Sequence, residues 1–494
     1  MPNRRLVLVS LLAACAGVSS KEASAPYPTS VAASPQAIAG EPVSAEDYKD
    51  YGKNPWIAAA KDHLSTFAAD VDTASYTIAR RKLQGGELPP AASVRVEEWV
   101  NYFKYGFPAA PAETSPFAVV MDAAVHPFEP GRYVLRVGVA TREKTPGERE
   151  PSSLVFLVDV SGSMSSNDKL PLAKQALHIL TQNLTDKDSV AIVTYAGDSR
   201  LVLPMTSVDR RGVIDQAIDS LNTGGGTAMA SGVDLAYEQA VKTVAPGRIA
   251  RVIVCTDGDA NIGSHTHEEM LKLIETRAKA GVTLSTIGFG MGNYKDQLME
   301  QLADKGNGNN YYIDSLEAAK RVFAEQLTST LEVAAKDTKL QVDFDPSVVS
   351  RYRLIGYENR DLKDSDFRKD EVGAGQVGWG HQVTALYEVE LARQGAPLGS
   401  VRIRHKAPDA DRATEAAFAM PQPPAADFAH ASQDLKFAFA VAAFADVMRG
   451  GAPWPLEDIR ALADANATNN DRRELVALID LAMKLRGKAA TVAQ

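Results

Sequence analysis

From residue 152 onward the chain alternates short apolar runs with amphipathic stretches. Leu154–Val158, Val190–Thr194, Ile249–Thr256 and Val282–Ile287 are the runs. Between them apolar residues recur at helical spacing: Leu170, Ala173, Leu177 and Leu180, then Val213, Ile214, Ala217, Ile218 and Leu221. Val233–Val244 gives another such face, and Leu271, Ile274 and Ala278 a further one. Leu298 and Leu302, then Leu316, Ala319 and Phe323, close the pattern. Apolar runs of strand length without polar alternation predict strands buried on both faces. Helices between such strands predict right-handed βαβ units and a doubly wound, mostly parallel α/β sheet.

The flanks have a different rhythm. Before the sheet, a helix is expected from Asp72 to a stop at Gly85-Gly86, and a second through Val94, Val96, Trp99, Val100 and Phe103. Phe117–Met121 and Tyr133–Val139 read as strands around the turn-like Glu129-Pro130-Gly131. After the sheet, Leu340–Phe344, Arg351–Ile355, Val383–Leu391 and Ser400–His405 read as strands. The proline-rich stretch 407–430 reads as a linker or long loop, and 432–448, 455–465 and 471–486 as three helices. No repeat of solenoid period is present.

Composition narrows the class. A chain of 494 residues allows two to four domains. With 62 acidic and 53 basic residues the net charge is −9, so no basic face for nucleic acid is expected. Two cysteines, Cys15 and Cys255, exclude a disulfide framework and a cysteine-rich metal cluster. At the start, Arg4 and Arg5 precede the apolar Leu6–Ala14, too short to span a bilayer. Leu12-Ala13-Ala14-Cys15 resembles a bacterial lipobox. That resemblance implies that residues 1–15 are a signal segment and that Cys15 is lipid-modified, a membrane anchor through acyl chains. Ala16, where Asp would retain such a protein at the inner membrane, implies outer-membrane sorting. Residues 16–55, rich in Ala, Ser and Pro, are expected to be a disordered tether.

The candidate chemistry lies where the runs end. The first run leads into Asp159-Val160-Ser161-Gly162-Ser163, Thr227 follows Gly224-Gly225-Gly226, and Asp257 follows Ile249–Thr256. Ligands of doubly wound sheets sit outside the carboxyl ends of the strands, so these loops can converge. Two carboxylates and three hydroxyls make a hard oxygen set, suited to Mg²⁺, with Mn²⁺ or Ca²⁺ as alternatives, rather than zinc or copper. Three of the five groups are neutral, so a bound ion would keep much of its charge. It would then attract a carboxylate from a protein partner.

At these residues the chain resembles the von Willebrand factor A (VWA) family, and D-x-S-x-S, Thr and Asp match its metal-ion-dependent adhesion site. The resemblance implies that Ser161, Ser163 and Thr227 contact the metal directly, with Asp159 and Asp257 acting directly or through water. The flanks look like those of bacterial YfbK-like VWA proteins. The N-terminal likeness rests on Ser65-Thr66-Phe67, Asp70–Tyr76, Leu88-Pro89-Pro90 and Val94–Glu98. The C-terminal one rests on Gly373-Ala374-Gly375 and His381–Glu388, with Gln376–Gly380 inserted where the family runs directly into His. The expected organisation is a YfbK-like N-terminal extension at 56–150, a Rossmann-like VWA domain at 151–332 and a YfbK-like C-terminal domain at 333–494, β-rich and then helical.

Other patterns carry less. Asp257, Asp259, Asn261 and Glu268 imitate a calcium loop, but Ile262 stands where its turn needs glycine. His265 and His267 have no third ligand in sequence, Gly288–Gly292 lacks dinucleotide-loop spacing, and Cys255 reads as a core thiol. Arg472, Arg473, Lys484, Arg486 and Lys488 read as a solvated basic helix face. The function expected is that of a lipid-anchored envelope protein, not an enzyme, that binds a protein partner through a divalent ion. The rival readings are a metal-assisted hydrolase, an adaptor of an AAA+ ATPase, and a scaffold whose metal site is unused.

Overall fold

The structure, a computed structural model, describes residues 48–69, 72–108, 110, 116–258, 266–290, 295–408, 410 and 412–492. Cys15, the expected signal segment and the tether up to residue 47 lie outside the described residues, as do Asp259, Asn261 and His265. Among the described residues no helix is long and apolar enough to cross a membrane.

The apolar runs pair as a six-stranded sheet in the order Asn310–Ile313, Val282–Phe289, Ile249–Thr256, Ser152–Asp159, Ser189–Tyr195, Ser199–Ser207. The first five strands are parallel and the last is antiparallel. Side-chain alternation along Ser152–Asp159 divides the core in two. Leu154, Phe156 and Val158 pack in the layer of helices Leu170–Gln182 and Arg211–Asp219. Val155 and Leu157 pack in the layer of Met229–Val241, His267–Lys279 and Asp296–Lys305. All five are fully buried, so the sheet is covered on both faces as expected. Two strands were not legible as runs. Ser199–Ser207 is an edge strand that leaves Arg200, Leu201 and Val202 exposed, and Asn310–Ile313 is four residues long.

The segments before and after this domain share their cores. One antiparallel sheet runs Ile57–Ala58, Val349–Ile355, Gln382–Leu391, Arg132–Thr141, Phe117–Val125. The other runs Asp361–Leu362, Leu64–Ala68, Val333–Phe344, Gly399–Lys406, Thr414–Ala419. Phe67, Val137, Val342, Tyr352, Tyr387 and Ile403 meet in a core between them. Thr414–Ala419 falls within the stretch read as a linker, because as an exposed edge it carries no apolar run. Helices from both flanks also join: Ala74–Gln84 and Val96–Tyr102 pack with Gln433–Met448, Leu456–Ala465 and Asn470–Val492. Gln433–Met448 is buried on almost every side, as its all-round apolar sequence requires. The Trp99 and Phe444 rings meet edge-on at 5.3 Å between centroids.

The basic C-terminal face needs correction at one residue. Arg472 is buried, paired with Asp434 at 2.6 Å, and lies 4.4 Å over the Phe437 ring. Its charge serves packing rather than solvation.

Arg80 fastens the flanking helices to the central sheet. It pairs with Asp314, just past the Asn310–Ile313 strand, at 2.5 Å and with Glu474 at 3.1 Å, and donates to the Tyr102 hydroxyl at 2.7 Å. Arg80→Ala would strand the buried Asp314 carboxylate, a loss of about 3–5 kcal/mol. Urea unfolding should show a lowered midpoint with unchanged far-ultraviolet circular dichroism before the transition, and an unshifted midpoint would contradict the role given to Arg80.

Candidate metal centre

Asp159 ends its strand with its side chain fully buried. The parallel register sets Val158 beside Cys255, which puts Asp159 and Asp257 at the carboxyl ends of neighbouring strands. Asp159 Oδ1 accepts the Ser161 amide N–H at 2.9 Å, and Oδ2 accepts the Thr256 hydroxyl at 3.0 Å. The first bond bends the chain back after the strand. The Ser161 and Ser163 hydroxyls then lie 3.0 Å apart. Asp257 is also fully buried, and the Lys169 ammonium donates to its Oδ2 at 2.9 Å. Cys255 turns into the core, where burial pushes its thiol up to about 12, so it is neither ligand nor nucleophile.

Thr227 is half-buried on the adjoining loop. Two backbone bonds clamp that loop to the first one: Gly224 N–H to Val160 O at 2.7 Å and Gly162 N–H to Gly225 O at 3.3 Å. Gly225 has φ +86°, a conformation glycine adopts without strain. The helix that follows, Met229–Val241, lies so close to the sheet that a Cβ on Gly232 would fall 2.8 Å from the Cβ of Tyr195. Close packing there fixes the height of the Thr227 loop over the strand ends.

Burial, with Asp257 adding to it, pushes the Asp159 carboxyl above the ordinary carboxylate range, against the pull of its bonds from Ser161 and Thr256. Tyr195, the register partner of Asp159, is fully buried, and burial followed by the Asp159 charge drives its phenol well above its usual value. Among the described residues no group of three or more His, Cys, Asp or Glu side chains could hold a metal. A metal bound here would therefore need hydroxyls beside the carboxylates. The donor set fits a hard divalent ion in kind, two carboxylates and three hydroxyls, and Asp257 already faces a cation.

Sequence reasoning picked out the five oxygen-bearing residues and missed three neighbours. Lys169 stands in a polar loop, Ser165–Lys169, where a lone lysine looks like any solvated charge. Thr256 ends an apolar run and Tyr195 directly follows one, so neither stood out as part of a site. His267, one of the paired histidines, contacts Gln301 at 2.7 Å on the exposed helix surface.

Residues 153–325 match the family described as von Willebrand factor type A domain, and residues 42–136 one described as von Willebrand factor. Residues 329–397 and 390–485 match the family described as uncharacterized protein YfbK, C-terminal. Uncharacterized protein YfbK of Escherichia coli (strain K12) is 37% identical over 465 residues, 88% of this chain and 80% of that protein. The magnesium-chelatase 67 kDa subunit of Chlorobaculum tepidum is 30% identical over 196 residues, 36% of this chain and 31% of that protein. Among solved structures, von Willebrand factor type A from Catenulispora acidiphila shares 20% identity with a TM-score of 0.42, covering 78% of this chain and 89% of that one. A parallel sheet with a D-x-S-x-S loop at its carboxyl edge is thus a VWA domain, a fold of general use in protein interaction. The chain belongs to the YfbK family.

The raised Asp159 carboxyl has a pH consequence. The folded state holds that proton more tightly than the unfolded chain does. The contribution is fully present below the ordinary carboxylate range and is lost as pH climbs through the raised value. Asp159→Asn keeps the shape and removes the buried charge; its oxygen can still accept the Ser161 N–H, while its NH₂ would donate to the Thr256 hydroxyl in place of accepting from it. In chelator, its thermal midpoint should gain on the wild type as pH rises from 5 to 8. A gap that stays constant over that range would be the contrary result.

Proposed function

We propose that this chain is a lipid-anchored protein of the bacterial cell envelope, sorted to the outer membrane, that binds a protein partner through a divalent ion. Asp159, Ser161, Ser163, Thr227 and Asp257 hold the ion, with Mg²⁺ the first candidate and Mn²⁺ or Ca²⁺ the alternatives. The partner supplies a carboxylate to the remaining coordination position. Cys15 carries the lipid anchor, and residues 16–55 hold the folded part off the membrane.

The observation that carries this reading is the pair of fully buried carboxylates at adjacent strand ends, with the Ser161 and Ser163 hydroxyls 3.0 Å apart beside them. Magnesium takes six oxygen ligands at about 2.1 Å and commonly keeps waters, which leaves a place for an outside carboxylate. Chemistry at the same ion would also need a positioned general base. Both oxygens of Asp159 already accept hydrogen bonds, and Asp257 is ion-paired to Lys169. Asp257 is thus held by a cation and Asp159 is tied to the turn that follows its strand, so no carboxylate is set aside as a dedicated base, which favours binding over hydrolysis.

Isothermal calorimetry should show uptake of one Mg²⁺ by the wild type and none by Asp159→Ala, with both proteins folded by circular dichroism. Crosslinked pull-down from intact envelopes should recover a partner with Mg²⁺ and lose it with EDTA. Equal recovery in EDTA would end the adhesion reading. Cells grown with a palmitate analogue should label the wild type and not Cys15→Ser, and an unlabelled wild type would remove the anchor.

A further inference from the structure

We infer that Lys169 is a built-in counter-cation of the metal centre: its ammonium holds Asp257 when no ion is bound, and a divalent ion must displace it to load. The inference rests on the metal-centre reading above and adds a residue that competes with the metal. Its basis is geometric. Lys169 Nζ lies 2.9 Å from Asp257 Oδ2, with side-chain exposures of 10% and 0%. Asp159 is buried on the neighbouring strand end. Two carboxylates removed from water at the ends of neighbouring strands need positive charge nearby.

The lysine is steered into place. Its stem crosses Gly290, φ +73°, where a Cβ would collide with it. The residue before it, Asp168, is paired with Arg81 of the flanking helix Ala74–Gln84 and accepts the Ser166 hydroxyl. Arg81 also donates to the Tyr312 hydroxyl at 2.9 Å, and that hydroxyl donates to Gly290 O. One arginine of this flanking helix thus secures both the backbone before Lys169 and the glycine under its stem. A Mg²⁺ held by Asp257, directly or through water, would need near-octahedral oxygen contacts around it, and an ammonium already seated on that carboxylate would compete for it. The two cations also repel.

The test is calorimetric titration of Mg²⁺ into the full chain, repeated with Mn²⁺ by loss of its free electron-paramagnetic-resonance signal. A charge-assisted hydrogen bond is worth enough that Lys169→Met, which keeps the stem and removes the charge, should tighten uptake by about tenfold or more. Lys169→Arg, which keeps the charge, should not. In chelator Lys169→Met should melt below the wild type, and saturating Mg²⁺ should narrow that gap. Equal constants for the wild type and Lys169→Met, or equal tightening by the Arg and Met variants, overturn the inference and leave the metal-centre reading standing. Uptake by Lys169→Met but not by the wild type sustains the inference and removes the metal-centre reading for the native chain. No uptake by either removes both. Should Lys169→Met fail to fold, Arg81→Met carries the test. Freeing the Asp168 end should tighten uptake by about threefold, and an unchanged constant overturns the inference.

Discussion

Two carboxylates buried side by side cannot both stay ionised without compensation, and that requirement organises the carboxyl edge of the central sheet. The sheet creates the problem. Parallel strands buried on both faces bring their ends together where water is scarce, and Asp159 and Asp257 stand at two adjacent ends with no exposed surface. Isolated burial of such groups is prohibitive. The described residues answer it with an amide and a hydroxyl on Asp159 and an ammonium on Asp257. Ser161, Gly162 and Gly224 are placed by the same need, since the turn that satisfies Asp159 also presents the hydroxyls and clamps the Thr227 loop.

The collar around this domain follows a different logic. Both of its sheets and its helical layer are assembled from chain on either side of the VWA domain. Such an insertion is easy to accommodate when the ends of the inserted piece lie close together. They do: Glu332, at the exit, pairs with Lys144 and accepts the Glu150 amide at 3.2 Å near the entry. The cost of closing a chain loop grows only slowly with its length. Strands as far apart in sequence as Leu64–Ala68 and Val333–Phe344 can therefore pair without a heavy penalty.

Legibility tracked burial. Ser152–Asp159 and Ile249–Thr256, covered on both faces, announced themselves as apolar runs, and the doubly wound sheet followed from them. Gln433–Met448, buried almost all round, was equally plain. Edge strands were not, because solvent on one side removes the pattern: Ser199–Ser207 gave no apolar run, and Thr414–Ala419 fell in a stretch read as a linker or long loop. The partnership of the flanks was invisible because it rests on pairing between distant segments, which periodicity within a window does not report. At the site, oxygen-bearing residues in a motif stood out. Lys169 did not, because only its path across Gly290 separates it from a solvated lysine.

That path gives the collar a direct physical line to the site. From the helix Ala74–Gln84, Arg81 reaches Asp168 beside Lys169 and Tyr312 beside Gly290, while its neighbour Arg80 grips Asp314 and Glu474. Contact alone does not couple two sites; coupling needs an element with two arrangements that both sites bias. On the reading developed for Lys169, its side chain is that element, seated on Asp257 or released. A partner carboxylate that strengthens the metal would favour release, and any strain that pulls Arg81 away from Asp168 would favour it too. By reciprocity of binding free energies, tension in the collar and occupancy at the metal would then report on one another. This would give the chain reason to keep two consecutive arginines, Arg80 and Arg81, at the junction between its flanking helices and its VWA domain.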